Sequence, residues 1–107
     1  MQNNAQEEMQ SVFEHYKDSY RTEWVPNEDF ALEGDAKYYE KSPCLIIYFK
    51  DGKYAILADV DEVELFKRSK LFKGKWTSVT HNHPDGDFTE DGSEIIRCID
   101  KLIDMAT

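Results

Sequence analysis

The run Trp76-Thr77-Ser78-Val79-Thr80 passes directly into His81-Asn82-His83-Pro84-Asp85-Gly86-Asp87. An apolar, β-branched segment thus opens into a loop of Gly and Asp, the pattern of a strand ending in a turn. Residues i and i+2 of a strand share a face, so His81 and His83 are expected side by side at the last exposed step. Pro84 removes a ladder donor and ends the strand. Of three histidines in the chain, two fall here. Neutral imidazoles with carboxylates nearby suit zinc. The plain alternative is a polar turn carrying two solvated histidines.

The chain has 107 residues, the size of one domain spanning 1–107 with a core of its own. A hydrophobic fraction of 40% with 13% aromatics is globular rather than disordered. The formal net charge of -9 argues against direct nucleic-acid binding, which needs Lys and Arg on phosphates. Cys44 and Cys98 lie far apart without a CxxC spacing and read as packed, reduced thiols. No apolar run has the length of a membrane span, and the start lacks a basic region followed by an apolar one. A soluble, cytoplasmic protein is expected.

Working outward from the histidines, residues 5–21 read as an amphipathic helix. Met9, Val12, Phe13, Tyr16 and Tyr20 lie on its apolar side, and Glu7, Glu8, Glu14, Lys17 and Asp18 on its polar side. His15 falls among the polar positions. Glu28 to Leu32 is a candidate short strand, and Gly34-Asp35 a turn. Cys44-Leu45-Ile46-Ile47-Tyr48-Phe49 is a buried central strand, Asp51-Gly52 a hairpin turn, and Tyr54 to Leu57 the return strand. Asp59 or Asp61 then caps an expected short helix through Val63, Leu65, Phe66 and Ser69. The basic cluster Lys67, Arg68, Lys70, Lys73 and Lys75 could meet an acidic partner, or could be a solvated helix end suited to the helix dipole. The last helix runs from Ser93 to Ala106, with Ile95, Ile96, Ile99, Leu102 and Ile103 as its apolar stripe. Asp91 or Ser93 is its expected N-cap, with Glu94 in the first turn. The sum is an α+β (α/β three-layer) domain, a small mixed β-sheet flanked by an N-terminal and a C-terminal helix.

A hydrolytic zinc site takes about three protein ligands, an open position for water and a general base. His81 and His83 supply two ligands. Asp85, Asp87, Asp91 and Glu94 are candidates for the third. Asp85 and Asp87 suit the turn itself, while Asp91 and Glu94 stand where a helix would begin beside the strand. Capping and helix-dipole stabilisation would account for those two carboxylates equally well.

The ungapped run from His81-Asn82-His83-Pro84 through Gly86, Asp87 and Thr89 to Glu94-Ile95 resembles the metal motif of JAB/MPN (JAMM) domains. It is most similar to the branch of RadC-like proteins and of phage-associated domains with a His-Asn-His-Pro turn. Pro26-Asn27-Glu28, followed by Leu32 and Gly34, resembles the segment in which this family carries its catalytic glutamate. The resemblance implies a JAB/MPN-like (cytidine-deaminase-like) fold and Zn2+ held by His81, His83 and a carboxylate. It implies Glu28 as general base, and hydrolysis of a peptide or isopeptide bond such as one at the tail of a ubiquitin-like protein. The family's third ligand, an Asp, falls at Glu94, and its oxyanion-stabilising serine falls at Asp91. In a shifted register Asp91 is the ligand and the Thr89 hydroxyl replaces the serine. Both registers stay open here.

A second reading is a catalytically degenerate JAB-fold binding module, an acidic inhibitor or a phage-type accessory protein acting through protein contacts. The acidic charge and the carboxylate at 91 point that way, since a carboxylate repels developing negative charge. Tyr38, Tyr39 and Tyr48 read as sheet packing, Trp24 and Trp76 as core or core edge, and Cys98 as a packed thiol.

Overall fold

The order of the strands in the sheet follows from the turns that join them. The computed structural model describes residues 4–25, 29–32, 35–41, 44–71, 75–84 and 92–106. The elements are α1 (Asn4–Tyr16), β1 (Arg21–Val25), β2 (Asp29–Leu32), β3 (Asp35–Lys41), β4 (Cys44–Phe49), β5 (Tyr54–Ala58), β6 (Val63–Arg68), β7 (Trp76–Asn82) and α2 (Ser93–Ala106). A five-stranded sheet runs β1-β4-β5-β6-β7, and β2 pairs with β3 in a separate two-stranded sheet. The domain is therefore α+β.

Every neighbouring pair in the large sheet is antiparallel. This corrects the expected mixed sheet, and one segment explains the difference. Residues 59–69 were expected to hold a helix, which would have served as a crossover. They form a tight turn and then β6 instead. Asp59 Oδ1 accepts from the amides of Asp61 and Glu62, both at 2.8 Å. That is the chemistry of a helix N-cap, used here to close an Asx turn. Asp59 N then donates to the Glu62 carbonyl at 2.9 Å, and the chain returns antiparallel to β5. A short turn permits only this direction, because a parallel return needs a crossover of a dozen residues or more.

The hairpin between β4 and β5 follows the Asp-Gly signal. Lys53 N donates to the Lys50 carbonyl at 3.1 Å across Asp51 (φ 58°) and Gly52 (φ 79°). Positive φ at both central residues is what a type I′ turn demands. Besides β6, two strands exceed the expectation, β1 and β3. The N-terminal helix stops at Tyr16 rather than near residue 21, because the chain turns through 17–20 and leaves in β1 beside β4.

Both helices cover the same face of the sheet, so the expected helix-sheet-helix layering is also corrected. Met9, Val12 and Tyr16 of α1 and Ile95, Cys98, Ile99 and Leu102 of α2 pack on Leu45, Ile47, Ile56, Val63 and Leu65. The opposite face carries a second cluster of Cys44, Ile46, Tyr48, Ala55, Leu57, Phe66 and Trp76, joined by Leu32 from β2. Each fully buried aliphatic side chain stabilises the fold by about 1.5–3 kcal/mol. Cys44 and Cys98 are buried free thiols, one in each cluster. Among the described residues, no helix is long and apolar enough to cross a membrane.

α2 begins as the sequence predicts, with a different cap. The Gly92 carbonyl accepts from Ile96 N at 2.9 Å, so Gly92 occupies the N-cap position expected for Asp91 or Ser93. Gly92 has φ +69°, and a Cβ there would stand 2.5 Å from Val12 Cγ2 and 3.1 Å from the Glu8 carbonyl oxygen. Only glycine allows α2 to start this close to α1.

Candidate functional site

β7 delivers the two histidines to its end. The His81 and His83 rings stand 5.3 Å apart between centroids, inclined at 73°. Both side chains are exposed. His83 is held from two directions. Its amide donates to Asn82 Oδ1 at 3.1 Å, and its Nδ1 lies 3.2 Å from the Asp61 carbonyl oxygen in the β5–β6 turn. A carbonyl only accepts, so Nδ1 is the donor in this bond, and Nε2 is the ring nitrogen on the side away from it. A backbone carbonyl behind the imidazole is the usual outer-shell support of a metal-bound histidine.

The face on which the pair lies is set by a bulge. Leu65 pairs with Thr80 and Phe66 with Ser78, leaving Val79 as the extra residue. Beyond the bulge, His81 pairs with Glu64, which in turn pairs with Leu57 of the second cluster. His81 therefore projects on the face away from α1 and α2. Glu64 Oε2 accepts from Ser78 Oγ at 2.5 Å on the same face. Asp59, Asp61, Glu62 and Glu64 gather at this end of the sheet, a local field that favours a cation.

The carboxylate candidates divide. Glu94 lies in the first turn of α2, on the helix-bearing side, and its Oε2 accepts from Arg97 Nη2 at 3.0 Å and Nε at 3.3 Å. Among the described residues no group of three or more His, Cys, Asp or Glu is suited to a metal ion. Glu28, Asp85, Asp87, Thr89 and Asp91 lie outside the described residues. The donors brought together are thus two imidazoles, which fit zinc in kind.

The other marked residues take structural places. Tyr48 and Trp76 pack in the second cluster with centroids 6.1 Å apart, and Trp24 stacks on Phe13 at 6.0 Å. His15 is exposed, its ring edge against Tyr16. Glu8 departs from its expected polar side. It is 4% exposed, the single buried charged residue among those described, beside the start of α2. Its spacing four residues before Val12 was the signal that it shares the packed face.

No protein-family model matches the chain, and neither a curated protein nor a solved structure matches it.

Proposed function

We propose that the chain is a zinc-dependent hydrolase of the JAB/MPN (JAMM) type, acting in the cytoplasm on a peptide or isopeptide bond such as one at the tail of a ubiquitin-like protein. The observation that carries the proposal is the adjacent His81–His83 pair, with His83 Nδ1 against the Asp61 carbonyl and its Nε2 on the side away from it. The engagement of Glu94 with Arg97 favours the register in which Asp91 completes the ligand set and the Thr89 hydroxyl stands in for the family's serine. Zinc, when bound, would supply a polarised carbonyl and a water of lowered pKa. Glu28 takes the proton of the attacking water and passes it to the leaving amine. Thr89 donates toward the oxyanion.

The Glu94–Arg97 pair also favours a second reading, a JAB-type module that binds without catalysis. Glu28→Gln separates the two. A hydrolase keeps its zinc in this variant and loses turnover of an isopeptide-linked fluorogenic substrate. A zinc-loaded wild-type protein with no turnover would leave the binding module.

A further inference from the structure

The end of the sheet opposite the histidines carries a charge pattern that the hydrolase reading does not use. A cleft of about 780 Å³ opens between the β4–β5 turn and the end of β6. Lys50 and Lys53 come from one side, Lys67, Arg68 and Lys70 from the other, and the sole carboxylate of the lining is Asp51. Five of the chain's 13 Lys and Arg thus line one cleft in a protein of net charge -9.

The end of α2 accounts for Lys50 alone, whose Nζ donates to the Ala106 carbonyl at 2.7 Å, while Lys67 and Arg68 belong to a strand. Lys53 and Arg68 are adjacent across the ladder end, where the Arg68 amide donates to the Lys53 carbonyl at 2.9 Å. Like charges so placed repel each other. Among the described residues, no ion pair involves Lys53, Lys67 or Lys70. Lys50 and Lys67 flank the Tyr54 ring, 5.8 and 6.0 Å from its centroid. Around the tip of the turn a second cleft shares Asp51, Gly52 and Arg68 with the first and adds Arg21, whose guanidinium lies 4.0 Å from the Tyr48 ring centroid.

We propose that this turn end of the sheet is a docking surface for an extended, acidic segment of a protein partner. The cations run around the turn end of the sheet, from Arg21 on the face away from the helices to Lys67 on the helix face, a path of at least three strand spacings or roughly 14 Å, the length of about four extended residues. A single phosphate covers only part of that band. A nucleic acid reaches beyond it onto the acidic remainder of the chain, which repels a long polyanion. A short acidic peptide fits inside it, and its apolar side chains meet the aromatic rings between the cations.

The test is fluorescence anisotropy of a labelled Asp-Glu repeat peptide titrated with the full chain. A Lys-Ser repeat peptide and an oligothymidylate serve as comparators. The acidic peptide binds the wild type, binds His81→Ala/His83→Ala equally, and weakens as salt rises. Lys53→Glu/Lys67→Glu/Lys70→Glu, three exposed positions, weakens it at least about tenfold with an unchanged circular dichroism spectrum. The single Lys67→Gln gives a smaller loss in the same direction. Absence of binding to the acidic peptide, equal binding by the triple variant, or binding of the oligothymidylate in its place overturns the proposal.

Discussion

The Tyr16 hydroxyl donates to Asp100 Oδ1 at 2.6 Å, with the Ile96 carbonyl oxygen 3.2 Å away, and so ties the end of α1 to the middle of α2. Burial first, and then this bond, hold the Tyr16 phenol well above the usual tyrosine range. The folded state therefore keeps a proton that the unfolded chain releases near pH 10. The stabilisation from this group is complete below that pH and falls as pH rises beyond it. Tyr16→Phe should lose about 1–2 kcal/mol at neutral pH. Its stability should then fall less steeply than that of the wild type above pH 10. Urea denaturation across that range checks both, and equal alkaline slopes would contradict the assignment.

Gly92 and Val12 predict a sharper loss. Gly92→Ala sets a methyl 2.5 Å from Val12 Cγ2 in a backbone region that side chains avoid. The combined strain and overpacking should amount to about 2–4 kcal/mol. Val12→Ala in the same chain should recover part of that loss, which a double-mutant cycle measures. Wild-type stability in Gly92→Ala would refute the close approach of α2 to α1.

β6 is where sequence and structure part most clearly. As a strand it buries Leu65 on the helix face and Phe66 on the other, consecutive residues in two different clusters. Leu65→Ala and Phe66→Ala should each lose about 2–5 kcal/mol, while Lys67→Ala, which is exposed, should change stability little. A near-neutral Phe66→Ala would contradict the two-sided burial.

The parts of the fold that local pattern specifies were legible. The apolar run 44–49, the Asp51-Gly52 turn and the stripe of the last helix all appear where the residues put them. Asp59 misled because its side chain satisfies the same two backbone amides in an Asx turn as in a helix cap, and only pairing with β5 and β7 decides between them. Tyr20 misled because it continues the spacing of Tyr16 past the turn that ends α1. At the site, the i, i+2 rule brought His81 and His83 together correctly. Their face was not legible, because the bulge at Val79 arises from cross-strand register and reverses the alternation.

Asp59 also bears on the site. Its two bonds fix the turn whose Asp61 carbonyl faces His83. Asp59→Ala should lower stability by about 1 kcal/mol. Through the loosened imidazole it should also weaken zinc binding roughly tenfold or more, as loss of an outer-shell partner does. Competition with a fluorescent zinc chelator measures the second effect. Unchanged zinc affinity in a measurably destabilised Asp59→Ala would show that the Asp61 carbonyl does not orient a ligand.

The central claim is that His81 and His83 hold one zinc ion. Elemental analysis of the purified chain, beside His81→Ala/His83→Ala, tests it most directly. Near-stoichiometric zinc in the wild type and its loss in the double variant is the predicted result. A wild-type chain that carries no zinc even after incubation with the metal would contradict the claim, and the hydrolase reading with it.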